Sequence, residues 1–166
     1  DTPVEKAADD YCLCMEKVYA HADYITANVS SPNTKGLRDL QFGDSLSKLL
    51  EALKEKQRAL ASEHDRYVPL AVKIAPDMDG EAIEHGAKAL RDHEIDGVIA
   101  TNTTIDKSSV EHLEFGKEEG GLSGRPLTER STEVIRQLSS ALDGEIPIIG
   151  VGGIFDGETA ADKIRA

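Results

Sequence analysis

The stretch Ile25-Thr26-Ala27-Asn28-Val29-Ser30-Ser31-Pro32-Asn33-Thr34 decides the fold. A short strand over Ile25–Val29 runs out into a rim that carries the amides of Asn28 and Asn33 and the hydroxyls of Ser30, Ser31 and Thr34. Three more apolar runs end in the same manner. Leu70-Ala71-Val72 closes on Lys73, Gly97–Ala100 closes on Thr101-Asn102-Thr103-Thr104, and Ile146–Val151 closes on Gly152-Gly153. Short, continuously apolar strands are the mark of a parallel sheet buried on both faces. In such sheets ligands gather at the carboxyl ends of the strands, so four polar ends point to one shared pocket.

Helices fill the intervals. Thr2-Pro3-Val4-Glu5 has the form of a capping box with proline at the first helical position, and predicts a helix from Pro3 to about Ala20. Asp44 is placed to cap a second helix with the apolar stripe Leu46, Leu49, Leu50, Leu53 and Leu60. Tyr67 to Ala75 reads as the next strand. Asp79 caps a third helix that turns Ile83, Ala87 and Leu90 inward, and Ser131 to Leu142 makes a fourth. The long connection from Thr103 to Leu127 has little periodicity and ends in Gly120-Gly121-Leu122-Ser123-Gly124, the kind of loop that is functional or disordered.

Strand and helix therefore alternate in an α/β pattern of about four units, half of a (β/α)8 barrel. A complete barrel typically needs about 250 residues, and the chain has 166. Residues 1–166 are read as one domain or part of one. The opening Asp1 and the unfinished helix from Glu158 to Ala166 are expected of a piece of something longer.

A formal net charge of −12 argues against nucleic-acid binding, which needs a basic footprint to displace counterions. No apolar run reaches the roughly 18 residues of a membrane span, and no basic-then-apolar leader opens the chain, so it reads as soluble and cytoplasmic. Cys12 and Cys14, two apart on a helix, match neither a zinc spacing nor a redox pair, and are expected to be thiols in a reducing compartment. The five histidines form no metal set, so no metal is expected.

At the strand ends, single asparagines suit turns, but Asn28, Asn33 and Asn102 together can read a planar ring of carbonyl and NH groups. Ser30 and Ser31 precede Pro32, which gives a rigid corner; either hydroxyl can turn the chain, or one can act as a base or nucleophile if activated. Lys73 closing an apolar strand allows two chemistries, a Schiff base with a carbonyl or a fixed positive charge beside an electron-accepting cofactor. The two glycine clusters offer amides for a phosphate, the second where barrels favour one.

The motifs NVSSPNTKGLRDLQ, VPLAVKIAPD, DGVIATNTT, EEGGLSGRPL and PIIGVGGI, in this order and spacing, resemble the dihydroorotate dehydrogenases over essentially the whole chain, and within them the quinone-using class. The resemblance implies a (β/α)8 barrel holding FMN at its carboxyl face and oxidising dihydroorotate to orotate in pyrimidine synthesis. It implies Ser31 as the base, with Thr34 assisting its proton relay. Asn28 would touch FMN and substrate, Asn33, Asn102 and Thr103 the substrate, Lys73 and Thr101 the flavin, and Gly124 and Gly153 its phosphate. Serine at position 31 carries the class assignment, since relatives using soluble acceptors have cysteine there. Lys35 departs from the small residue or proline expected at its position.

The same resemblance implies a monomeric parent attached peripherally to the cytoplasmic side of the inner membrane, with its quinone site outside this chain. The chain alone is expected to be inactive and prone to self-association through unpaired strand edges. Two other readings stay open from the residues themselves: a Schiff-base aldolase using Lys73, and a non-catalytic half barrel that binds phosphate-bearing ligands.

Overall fold

A computed structural model describes residues 2–166. Four strands, β1 (Ile25–Asn28), β2 (Leu70–Ile74), β3 (Gly97–Ala100) and β4 (Ile148–Gly150), form one parallel sheet in sequence order. Each is linked to the next by a helix-containing crossover: α2 (Gly43–His64), α3 (Gly80–Asp92) and α4 (Thr128–Leu142). α1 (Ala7–Val18) precedes β1 and α5 (Gly157–Arg165) follows β4. Each helix packs against the next, α1 on α2 through to α4 on α5, as a layer over one face of the sheet.

That face holds the core. Ala27, Leu70, Val72, Ile74, Val98 and Ala100 pack against Leu50 and Leu53 of α2, Ile83 and Leu90 of α3, and Val134 and Leu138 of α4. Burial of the Leu, Val and Ile side chains among them contributes about 1.5–3 kcal/mol each, which fixes the strand faces. Because side chains alternate along a strand, the register partners Asn28, Lys73, Ile99 and Ile149 form one row on the opposite face. In a closed barrel that face looks inward. The chain thus forms four successive strand–helix units of a partial (β/α)8 barrel, as its sequence pattern predicts.

Several boundaries differ. The first helix is divided, with a 3-10 turn at Val4–Lys6, then α1, then a second 3-10 turn at Tyr19–His21. The expected capping box is not made: Pro3 itself occupies the cap position with an extended ψ of 145°, and its side chain has nothing to accept with. Asp44 is not a cap either. Phe42 takes that place because Gly43 (φ +54°) already starts α2, leaving Asp44 in the first turn, where its charge favours the helix dipole. β2 begins only at Leu70, after Pro69, which has no NH for a ladder. β4 is shorter than Ile146–Val151, although Val151 still exchanges backbone hydrogen bonds with Ala100 and Thr101. Asp79 does cap α3, accepting from the Ala82 amide at 2.9 Å.

Among the described residues no helix is long and apolar enough to cross a membrane. β4 is one edge of the sheet; Ile149, Val151, Ile154, Phe155 and Ile164 lie exposed around it, beside a groove of about 580 Å³ lined by Ile148, Gly150 and Lys163.

Candidate active site

Asn28 is the last residue of β1 and Lys73 is its register partner on β2, so the parallel ladder itself places them side by side. Past Asn28 the chain turns at Val29 and Ser30, both fully buried. The Ser30 hydroxyl lies 2.9 Å from Asn28 Oδ1 and 2.8 Å from the Lys73 carbonyl, and its single proton can serve one of them at a time. Asn102, just past β3, donates its amide to Asn28 Oδ1 (3.2 Å) and Ser30 Oγ (3.1 Å), while its own Oδ1 accepts from the Thr103 amide at 2.8 Å. Three strand ends are joined through Asn28, Ser30 and Asn102.

Ser31 and Asn33 stand one step out from this knot. The Ser31 hydroxyl is half-buried and accepts from the Asn33 amide at 3.3 Å. Asn33 and Thr34 are exposed, and among the described residues no hydrogen bond links Thr34 to Ser31. The long Thr103–Leu127 connection folds back over this rim through a bridge between Thr104 and Leu122. Gly121 allows it: a Cβ there would lie 1.8 Å from Thr103 Oγ1 and 2.9 Å from a Pro32 ring carbon.

A second cluster forms at the start of α4. Gly153 has φ +67°, and a Cβ on it would come within 2.7 Å of the Thr128 amide nitrogen. Its carbonyl accepts from the Thr128 hydroxyl at 2.8 Å. Gly124, with φ +78°, opens the 3-10 turn Arg125–Leu127 that leads into the same helix. The Gly124 and Gly153 amides take no backbone hydrogen bond among the described residues. Lys163 of α5, its ammonium held down by burial toward the neutral form, donates to the Thr128 carbonyl at 2.9 Å from beneath.

Two features of this end are unspent. Thr101 is buried, and its hydroxyl has no hydrogen-bond partner among the described residues. Lys73, half-buried on the open face, enters no ion pair among them. No group of three metal-ligating side chains occurs among the described residues.

Sequence reasoning passed over Arg38, Asp77 and Gln41. Arg38 donates to the Ser30 carbonyl (3.0 Å), to Asp77 (2.6 Å) and to the Thr103 carbonyl (2.8 Å). Asp77 also accepts from the Thr104 hydroxyl and, at 3.1 Å, from the Ile105 amide. Gln41 is 3% exposed and accepts from the Ala75 amide at 2.8 Å. The only signal in the sequence is that Arg38, Asp77 and the threonines all follow strand ends; a lone Arg or Asp carries no pattern of its own.

Comparison with known proteins gives the same picture. The family model described as dihydroorotate dehydrogenase matches residues 3–166. The dihydroorotate dehydrogenase (quinone) of Neisseria meningitidis serogroup B is 62% identical over 164 residues, covering 99% of this chain and 49% of that protein. The protein of the same name from Cellvibrio japonicus is 62% identical over 165 residues, again 99% of this chain and 48% of the relative. The ligand-free crystal structure of DHODH from Eimeria tenella superposes with a TM-score of 0.91 at 37% identity, over 99% of this chain and 48% of that one. The chain spans about half the length of the curated relatives it matches. With the fold, the order of the strand-end motifs and these likenesses in agreement, the chain belongs to the dihydroorotate dehydrogenase family.

Proposed function

We propose that these residues form the inner half of a flavin site in which dihydroorotate is oxidised to orotate, with a quinone as final acceptor bound elsewhere in the whole protein. The observation that carries this reading is the juxtaposition of Asn28, Lys73 and Asn102 on adjoining strand ends, with Ser31 on the same rim. FMN fits what is present. Among the described residues the partnerless Thr101 hydroxyl, Lys73 without an ion pair, and the Gly124 and Gly153 amides without a backbone acceptor are a donor set in want of an acceptor-rich, anionic ligand.

When bound, FMN supplies a two-electron acceptor for the substrate's hydride. The protein's part is to hold and deprotonate. Asn28, Asn102 and Thr103 present amide and hydroxyl groups to the carbonyl and NH edges of the substrate ring, and Asn33 adds a further amide from the rim. Ser31 Oγ takes the proton from the carbon next to the ring carbonyl, with Thr34 passing it toward solvent. Lys73 and Thr101 would contact the flavin, where the ammonium would stabilise the negative charge that the reduced cofactor accumulates. The amides of Gly124 and Gly153 would hold its phosphate near the start of α4, where the helix dipole favours an anion.

Residues 1–166 then make up a portion of an FMN-binding barrel domain, and the parent associates peripherally with the cytoplasmic face of the inner membrane. Alone, the chain leaves the outer edges of β1 and β4 unpaired among the described residues, favouring self-association and no turnover.

The test is a chimaera in which this chain replaces the matching half of the Neisseria meningitidis relative. It should purify with FMN and bleach when dihydroorotate is added without oxygen. A chimaera that holds FMN and is not bleached contradicts the reading; borohydride trapping of a substrate carbonyl on Lys73 would favour the Schiff-base alternative.

A further inference from the structure

Arg38 occupies the point where three strand-end loops meet. Its Nε donates to the Ser30 carbonyl beside Ser31, one terminal nitrogen to Asp77 from the loop after β2, and the other to the Thr103 carbonyl after β3. Neither carbonyl has another partner among the described residues. Asp77 completes the unit by accepting from the Thr104 hydroxyl and the Ile105 amide. The Arg38 and Asp77 side chains are 17% and 20% exposed, so this ion pair is screened far less than a surface pair.

We infer that Arg38, anchored by Asp77, is a positioning residue that sets Ser31 against Asn102 and Thr103 for proton removal; this rests on the function proposed above. The guanidinium suits the task because it is planar and sends donors in three fixed directions, which an ammonium cannot reproduce. What it holds are not ladder or core groups. They are the backbone atoms immediately adjoining the proposed base and the proposed substrate-binding threonine. A displacement of about 1 Å between reacting groups can cost about 100-fold in rate.

In the chimaeric holoenzyme, Arg38→Ala should slow flavin reduction by dihydroorotate about 100-fold in single turnover while FMN content and KM stay near those of the unsubstituted protein. Added guanidinium ion should restore part of that loss. It should restore nothing to Ser31→Ala. Arg38→Lys should remain slow, and Asp77→Asn should be slowed less than Arg38→Ala. An unchanged rate in Arg38→Ala overturns the inference, as does loss of FMN and of rate together without rescue by guanidinium.

If dihydroorotate fails to bleach the unsubstituted chimaera, the functional reading falls and the catalytic role of Arg38 with it. The clasp is then read separately, from amide exchange at Ile105 in this chain: Arg38→Ala should speed it, and unchanged exchange overturns the clasp itself.

Discussion

The two ends of the sheet are built on opposite principles. At the amino ends, Asp96 accepts from the Leu70 amide (2.8 Å), Gln57 (2.9 Å) and the Tyr67 hydroxyl, while Lys54 donates to the Glu94 carbonyl at 2.8 Å. Tyr19, fully buried, accepts from the Val68 amide and donates to the Arg66 carbonyl. Each end leaves one buried side-chain atom without a partner among the described residues, Gln57 Oε1 at the amino ends and Thr101 Oγ1 at the carboxyl ends. The ends differ in their lysines: Lys54 is committed to Glu94 and Asp96, whereas Lys73, half-buried on the open face, enters no ion pair among the described residues. An uncommitted cation is the trade expected where a site must bind something besides itself.

Substitutions at the two ends should therefore separate stability from binding. Asp96→Ala strands the Leu70 amide and removes one of the two bonds from Gln57 Nε2, which keeps the Val68 carbonyl, and should cost about 2–3 kcal/mol in denaturant unfolding with FMN affinity unaltered in the chimaera. Gly153→Ala forces a Cβ at φ +67° against Thr128, and should cost about 1–2 kcal/mol while also weakening FMN, since the cradle itself moves. Thr101→Val removes a buried hydroxyl that nothing satisfies. It should leave stability unchanged or raise it by up to about 1 kcal/mol, yet weaken FMN binding in a titration. If Thr101→Val destabilises as much as Asp96→Ala, the contrast between the ends is broken.

The pH dependence sharpens the same contrast. Burial alone would raise the Asp96 carboxyl, but hydrogen bonds from Tyr67, the Leu70 amide and Gln57, with the charge of Lys54, carry it below its ordinary value. A depressed carboxyl contributes stability above its unfolded pKa of about 3.9 and loses it as pH falls through the folded value. The stability gap between the parent chain and Asp96→Asn should thus close as pH falls below the unfolded value of about 3.9. Burial, with the hydrogen bond to Asp96, pushes Tyr67 up to about 12. Its contribution is complete below the unfolded value of about 10 and is lost as pH rises through the folded one.

Strand and helix order was legible because continuous apolar strands and 3.6-period helices are one-dimensional patterns. β3 at Gly97–Ala100 and the Asp79 cap follow directly from it. Caps at Thr2 and Asp44 were misread because the backbone puts the first cap at Pro3, one residue on, and the second at Phe42, two residues back, which no side-chain pattern records. The rim residues were legible as types at strand ends, and the ladder brings Asn28 beside Lys73. Arg38 and Asp77 were not, since their meaning lies in contacts between residues 39 positions apart. The interior face of the sheet was hidden in the same sense: Ile149 reads as core, yet 46% of it is exposed beside the free edge.

The measurement that bears most directly on the account is anaerobic single-turnover reduction of the chimaera's flavin by dihydroorotate, compared between Ser31 and Ser31→Ala. General-base loss should slow it about 100-fold to 10,000-fold, with FMN content and unfolding midpoint unchanged, because among the described residues the Ser31 hydroxyl bonds only to the Asn33 amide. Reduction at an undiminished rate without the Ser31 hydroxyl would contradict the assignment of the strand carboxyl ends as a dihydroorotate-oxidising site.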